Sequence, residues 1–391
     1  MSLVSRAWRV MVFGHRNLLP PPPPPPPLPL LLLPADPFDA RGFRASCALS
    51  GGRVHRRIAI NPRNARCFGS HDGAWVLLAT LEPRRRSHFA LNTTSGDTRA
   101  IPSDLLRWTD PQSYVHGMVI HAAALSTSPE EATCVGAAIV TSWPLSYDLG
   151  ATVDALPPRR RRVALWRLEH DYAVQPSDEE EDEDSVDHVE DVVYLRAVGS
   201  FAFLTRGEHL LMCTPILHEN QELQTLWGPA RFRPNGRLYD DQHVRARYLV
   251  ESDGDLLMVV RFTPHPNQPT SKFKVFKSEE RDGLQEADDD PNFPVADYPG
   301  AWTEMDTLGG RLLFVGHGCS RSYQAHNYPG FNEGIYFLDD GDLFDDVVIF
   351  GDGNVWRYPC SDNGKWSEGR VQRCFPRSDP SDHSAPVWLL P

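Results

Sequence analysis

The feature that most constrains this chain is a unit that recurs through its C-terminal half. Each unit is an apolar run, a short glycine turn and a second apolar run. Residues 192–195 lead to Gly199 and then to residues 201–204, and Gly207 precedes residues 210–212. Residues 247–250 lead to Asp253-Gly254 and residues 256–260. Residues 302–304 lead to Gly309-Gly310 and residues 312–315, and residues 347–350 lead to Asp352-Gly353 and residues 355–358. Glycine suits these places because tight hairpin turns need positive φ. The units start about 50 residues apart, which fits a four-stranded sheet repeated as a propeller blade. A β-sandwich would need two or more copies to use this length.

The β pattern begins near Cys67. Strands are expected at residues 75–80, 89–91, 118–120, 134–140 and 163–168, with polar turns at 84–86 and 94–96. The fold class that follows is all-β: a single β-propeller of about six or seven four-stranded blades, preceded by a short N-terminal helix and a proline-rich spacer. The expected divisions are a basic leader at 1–19, the Pro-rich spacer and lead-in at 20–59, the propeller at 60–375 and a C-terminal tail at 376–391. Trp166, Trp227, Trp302 and Trp356 stand near strand starts. They read as packing anchors between sheets, with exposed interface hot spots as the alternative.

Charge is unevenly distributed. The net charge is −13, yet Asp178 to Asp191 alone hold ten acids and no Lys or Arg. Charges this dense repel one another and resist burial, so an acidic disordered insert is expected over 170–191. The acidic pI of 5.6 reports that segment and gives no reason to expect a nucleic-acid partner. Residues 1–35 contain no acid, and Arg6, Arg9 and Arg16 alternate there with apolar residues. Such a leader reads as an organelle-targeting segment or as the remnant of a helical motif. Pro20 to Pro27 make an extended spacer, and the apolar run that follows is far too short to span a membrane, so no membrane partner is expected.

Catalytic patterns are scarce. The seven cysteines are scattered with no CxxC pair, which suggests neither a zinc ribbon nor a redox pair. No GxSxG elbow, P-loop, GxGxxG or HExxH is present. Gly316-His317-Gly318-Cys319-Ser320 places a histidine near a thiol, but sequence adjacency does not make a dyad, and a turn with a semi-buried histidine is the simpler reading. Asp339, Asp340, Asp342, Asp345 and Asp346 could attract calcium, but their spacing departs from an EF-hand loop, and capping of turn amides is the simpler role. The expectation is a protein that is not an enzyme, with no cofactor, no metal and no catalytic residue, and with binding residues that the sequence leaves unassigned.

Several segments carry a family resemblance. Gly69-Ser70-His71-Asp72-Gly73-Ala74-Trp75, then Leu91-Asn92-Thr93-Thr94-Ser95-Gly96 and Ile101-Pro102, resemble the opening of the plant KIB-type β-propeller family, long labelled domain of unknown function 295. Residues 248–259 resemble its central signature, and Phe273-Lys274-Val275-Phe276, Leu308-Gly309, residues 313–316 and Ile335-Tyr336-Phe337 continue it in order. The resemblance implies a kelch-like propeller without catalytic activity. It also implies kinship with substrate-recognition subunits of SCF-type E3 ubiquitin ligases, in which an N-terminal F-box binds a Skp1-type adaptor and one propeller face holds a protein. Ser5-Arg6-Ala7-Trp8-Arg9 resembles the last turns of an F-box helix, so the F-box would be degenerate here. A cytoplasmic or nuclear location follows from that reading. The basic leader supports a mitochondrial or plastid location instead, for an organelle-targeted propeller of unknown role. A propeller enzyme or sugar-binding protein is the third reading.

Overall fold

The computed structural model describes residues 27–34, 43–58, 65–82, 85–109, 112–144, 161–175, 189–217, 223–233, 239, 242–280, 295, 298–340, 358–382 and 384–391. The expected leader at 1–19, the body of the acidic insert, the unit at 347–357 with Trp356, and Asp342, Asp345 and Asp346 lie outside these residues.

The described chain is almost entirely strand. In chain order, β1 (Leu30–Leu33), β2 (Phe43–Ser46) and β3 (Arg56–Ile58) belong to the first sheet. The second is β4 (Ala65–His71), β5 (Trp75–Glu82), β6 (Arg85–Asn92) and β7 (Thr98–Ile101). The third holds β8 (Asp104–Thr109), β9 (Gln112–Leu125), β10 (Val135–Pro144), β11 (Arg161–Arg167) and β12 (Tyr172–Val174). The fourth is β13 (Val189–Leu195), β14 (Ser200–Thr205), β15 (Leu210–Leu217) and β16 (Leu223–Ala230). The fifth is β17 (His243–Ser252), β18 (Asp255–Thr263), β19 (Lys272–Glu280) and β20 (Gly300–Glu304). The sixth runs in the order β22 (Arg321–Gln324), β21 (Arg311–Val315), β23 (Gly334–Phe337), β24 (Gly364–Ser367) and β25 (Arg370–Gln372). β26 (Val387–Leu389) returns to the first sheet and pairs with β1, Leu31 facing Trp388.

The sheets stand around an axis. β4 packs against β26 and β9, β13 against β9 and β17, and β17 against β22. The apolar core is accordingly divided into clusters that lie between neighbouring sheets. Phe201 and Phe203 of the fourth sheet meet Ala137 and Ile139 of the third; Val193 and Leu204 of the fourth meet Leu249 and Met258 of the fifth. Strands near the axis are covered on both faces, and β4 and β14 are buried throughout. The outer strands β7, β16 and β25 face solvent and are largely exposed or half-buried. Continuous apolar strands therefore mark the interior, where each buried large side chain contributes about 1.5–3 kcal/mol.

Several expectations are corrected. Among the described residues the six or seven four-stranded blades give way to five open sheets, four of four strands and one of five. The third sheet closes on itself, because β12 pairs in parallel with β8, Ala173 facing Leu105. That closure uses Ala173, buried in β12 and expected to belong to the acidic insert, while Asp191 at the insert's other end is buried in β13 of the fourth sheet. The Gly309-Gly310 unit is not a hairpin. Trp302 lies in the last strand of the fifth sheet and Leu312 in the sixth, so the glycines connect two sheets. Sequence reasoning set 20–59 and 376–391 outside the repeated sheets, whereas a strand from each pairs in the first sheet.

Candidate functional site

The inner strands bring a carboxylate to the axis. Asp191 of β13 is fully buried, and its Oδ2 accepts the Leu249 N–H of β17 at 2.7 Å. Its Oδ1 accepts the Gly318 N–H at 2.7 Å, from the turn that follows β21. One side chain thus ties the fourth, fifth and sixth sheets together. Gly318 has φ +69°, and a Cβ there would stand 2.6 Å from the Ala123 carbonyl oxygen of β9. The turn therefore reaches the third sheet on the far side of the ring and fills the axis, which only glycine permits.

The same turn presents His317. Its ring lies over Tyr248, with centroids 5.0 Å apart, between two carboxylates. Nδ1 is 3.9 Å from Asp191 and Nε2 is 3.8 Å from Asp340, both beyond hydrogen-bond reach, and among the described residues neither nitrogen has a partner. Asp340 Oδ1 accepts the Tyr248 hydroxyl at 2.9 Å and the Arg261 guanidinium at 3.2 Å, and its Oδ2 accepts the backbone N–H of His317 at 3.2 Å. Arg261 is itself fully buried. It also donates to Asp362, Thr270 and the Leu338 carbonyl, joining the fifth sheet to the sixth. Burial pushes the Asp362 carboxyl up, but Arg261 and Thr270 outweigh it and hold the group at about 2. Burial dominates at Asp191 and pushes its carboxyl up to about 6, against the pull of the Gly318, Leu249 and Val192 backbone N–H donors.

Two hollows adjoin this axis. A cavity of about 50 Å³ lies beside His317 and Asp340, walled by Phe68, Leu338, Pro386 and Val387. A cleft of about 370 Å³ lies at the C-terminal ends of β9, β13 and β17, lined by Tyr194, Arg196, Glu251, Arg321 and Tyr323. Its acids are engaged: Glu251 accepts the Arg196 N–H, and Asp253 takes Arg311 and Gln324. Arg321 donates to the Ser320 carbonyl and forms no ion pair among the described residues. The cleft serines bond elsewhere, Ser322 to Ser252 and Ser320 to the Gly316 backbone.

The residues singled out in the sequence fall in two groups. His317 and Asp340 meet at the axis although no sequence pattern joins them. Cys319 is buried and burial pushes its thiol up to about 12, so the histidine and thiol of one turn do not form a nucleophilic pair. Asp339 accepts the N–H groups of Ser361 and Asp362, as a turn cap does. Trp166 and Trp302 are core residues, Trp302 stacking on Phe232 at 4.5 Å, and Trp227 is half-buried in the cluster between the third and fourth sheets. Sequence reasoning missed Asp191, Arg261 and Arg321. A charged residue within an otherwise apolar strand, as Arg261 is in β18, was the available signal.

The chain matches the KIB1-4 beta-propeller family over residues 46–359. It belongs to that family. The match leaves out β1, β2 up to its last residue, and β24 to β26, yet β1 and β26 complete the first sheet of this KIB-type propeller. No curated protein matches the chain. Among solved structures, the complex of the fission yeast SREBP-SCAP binding domains is similar at 10% identity, with 80% of this chain and 92% of that chain covered and a TM-score of 0.25.

Proposed function

We propose that this KIB-type propeller is a non-catalytic protein-binding module, and that a segment of the partner lies in the cleft at the ends of β9, β13 and β17. The observation that carries this reading is the cleft itself. It draws side chains from four sheets onto one face, and it combines the tyrosines and arginines that dominate binding hot spots. Its serines are bonded to a serine and to backbone, away from any base, which favours recognition over chemistry. In the finer reading the module is a substrate receptor related to SCF-type ubiquitin ligases, with a degenerate F-box. Two experiments test these readings separately. Proteins captured by the wild type from a plant extract should be lost from an Arg196→Glu, Arg321→Glu double variant with an unchanged circular dichroism spectrum. An identical set captured by both would remove the cleft from the reading. A purified Skp1-type adaptor should bind the full chain; no binding above background would remove the ligase role and leave the binding module.

A further inference from the structure

The cavity beside His317 has an unusual balance of charge. Four carboxylates cluster beside His317 and Arg261, namely Asp191, Asp340, Asp339 and Asp362, and Asp340 is the one that lines the cavity. The guanidinium groups that pair with them are Arg261, Arg245 and Arg373. With a neutral His317 the cluster is one positive charge short. The His317 side chain is only 7% exposed and neither ring nitrogen has a hydrogen-bond partner among the described residues, the nearest carboxylates standing at 3.8 and 3.9 Å, although buried polar groups are almost always satisfied. Phe68, Leu338, Pro386 and Val387 give the cavity an apolar wall, and His121 and Tyr358 also line it. The cavity, at about 50 Å³, is several times the ~10–15 Å³ that one water needs.

We propose that this cavity binds a primary ammonium group on an aliphatic stem, the tip of a lysine side chain from a bound protein. The ammonium group donates to Asp340 Oδ2 and to the free nitrogen of a neutral His317, and supplies the missing charge. The methylene stem lies against Phe68, Leu338 and Pro386, as lysine stems commonly lie along apolar surface. A carboxylate would be repelled by Asp340, and a guanidinium's planar fork needs both carboxylate oxygens, whereas Asp340 Oδ1 is already taken by Tyr248 and Arg261. The cleft lies at the C-terminal ends of the inner strands and this cavity borders Pro386, at the start of β26, so the two sites are separate. Only the source of the lysine rests on the protein-binding reading.

The probe is n-butylammonium chloride, with n-butanol and sodium butyrate as controls, added to the full chain carrying histidines labelled with ¹³C at the ring Cε1. The His317 signal, assigned by its loss in His317→Gln, should shift saturably at roughly millimolar n-butylammonium and should not respond to the controls. Asp340→Asn should abolish the shift. Because that variant also disturbs Arg261, Leu338→Trp provides a second test: it fills the cavity without touching the charges and should abolish the shift too. An unmoved His317 signal overturns the proposal, and so does an equal response to n-butanol. A His317 already protonated at pH 7.5 without the probe also overturns it, since a proton then supplies the charge. Failure of the cleft variants to lose a partner leaves this result unaffected.

Discussion

At the scale of single residues, the molecule concentrates its risk in a few buried charges. Arg261 is enclosed by Asp340, Asp362, Tyr248 and Thr270, with no exposed side-chain surface. Removing one partner of such a cluster strands the rest, so Arg261→Met should lower the stability measured by urea unfolding by about 3–5 kcal/mol. Arg261→Lys should not restore it, because an ammonium group cannot reach all the acceptors of the planar fork. Asp191 gives the opposite lesson in its pH dependence. Its carboxyl is raised to about 6 in the folded chain, above the ~3.9 of an unfolded aspartate, so the folded state holds the proton more tightly. The contribution is full below about pH 4 and is lost as pH rises towards about 6, a loss on the order of 2–3 kcal/mol. Asp362, held at about 2, acts in the other direction: its stabilisation is present above about pH 4 and is lost as pH falls towards 2. Unfolding midpoints from pH 4 to 6 should therefore fall less steeply in Asp191→Asn than in the wild type. Parallel curves would show that Asp191 does not titrate in this window.

At the scale of elements, the glycine turns separate local conformation from tertiary contact. Asp253 and Gly254 join β17 to β18 with φ of 53° and 85°, the two-residue turn that matches strand twist. A Cβ at Gly254 meets nothing within 4 Å, so Gly254→Ala should cost only the backbone strain, about 1 kcal/mol. Gly318 has a similar φ but faces the Ala123 backbone, and Gly318→Ala should cost about 1–3 kcal/mol more. Equal losses in thermal melts of the two variants would mean that the turn does not fill the axis. The same contrast explains what the sequence revealed. The hairpins at Gly199 and Asp253-Gly254 were legible because glycine, apolar alternation and turn length are local signals. Gly309-Gly310 misled because a turn between sheets has the same residues as a turn within one. The closed third sheet was illegible, since β12 is three residues whose parallel partner lies far back in the chain. The axial site was hidden for a similar reason: His317, Asp191 and Asp340 share no spacing, and only the ring brings them together.

At the scale of the whole molecule, the ring depends on a joint between distant segments. β26 supplies Trp388, which is fully buried, stands edge-on to Phe314 at 5.2 Å and donates its indole N–H to the Val315 carbonyl. It therefore joins the first sheet to the sixth, while its backbone pairs with β1. Among the described residues every other sheet is built from one stretch of chain, and this is the one sheet whose formation needs contact between segments more than 300 residues apart, which carries the largest loop-closure cost. Truncating a fully buried tryptophan costs about 3–5 kcal/mol. Trp388→Ala should lower stability by that amount and, in native-state hydrogen exchange, should strip protection from β1 and β2 before the fourth and fifth sheets are affected. Leu32→Asp, on the partner strand, should produce the same exchange pattern. The double variant should cost less than the sum of the two, because both open one joint. Full additivity, or protection lost uniformly round the ring, would show that the first sheet is not where this propeller closes.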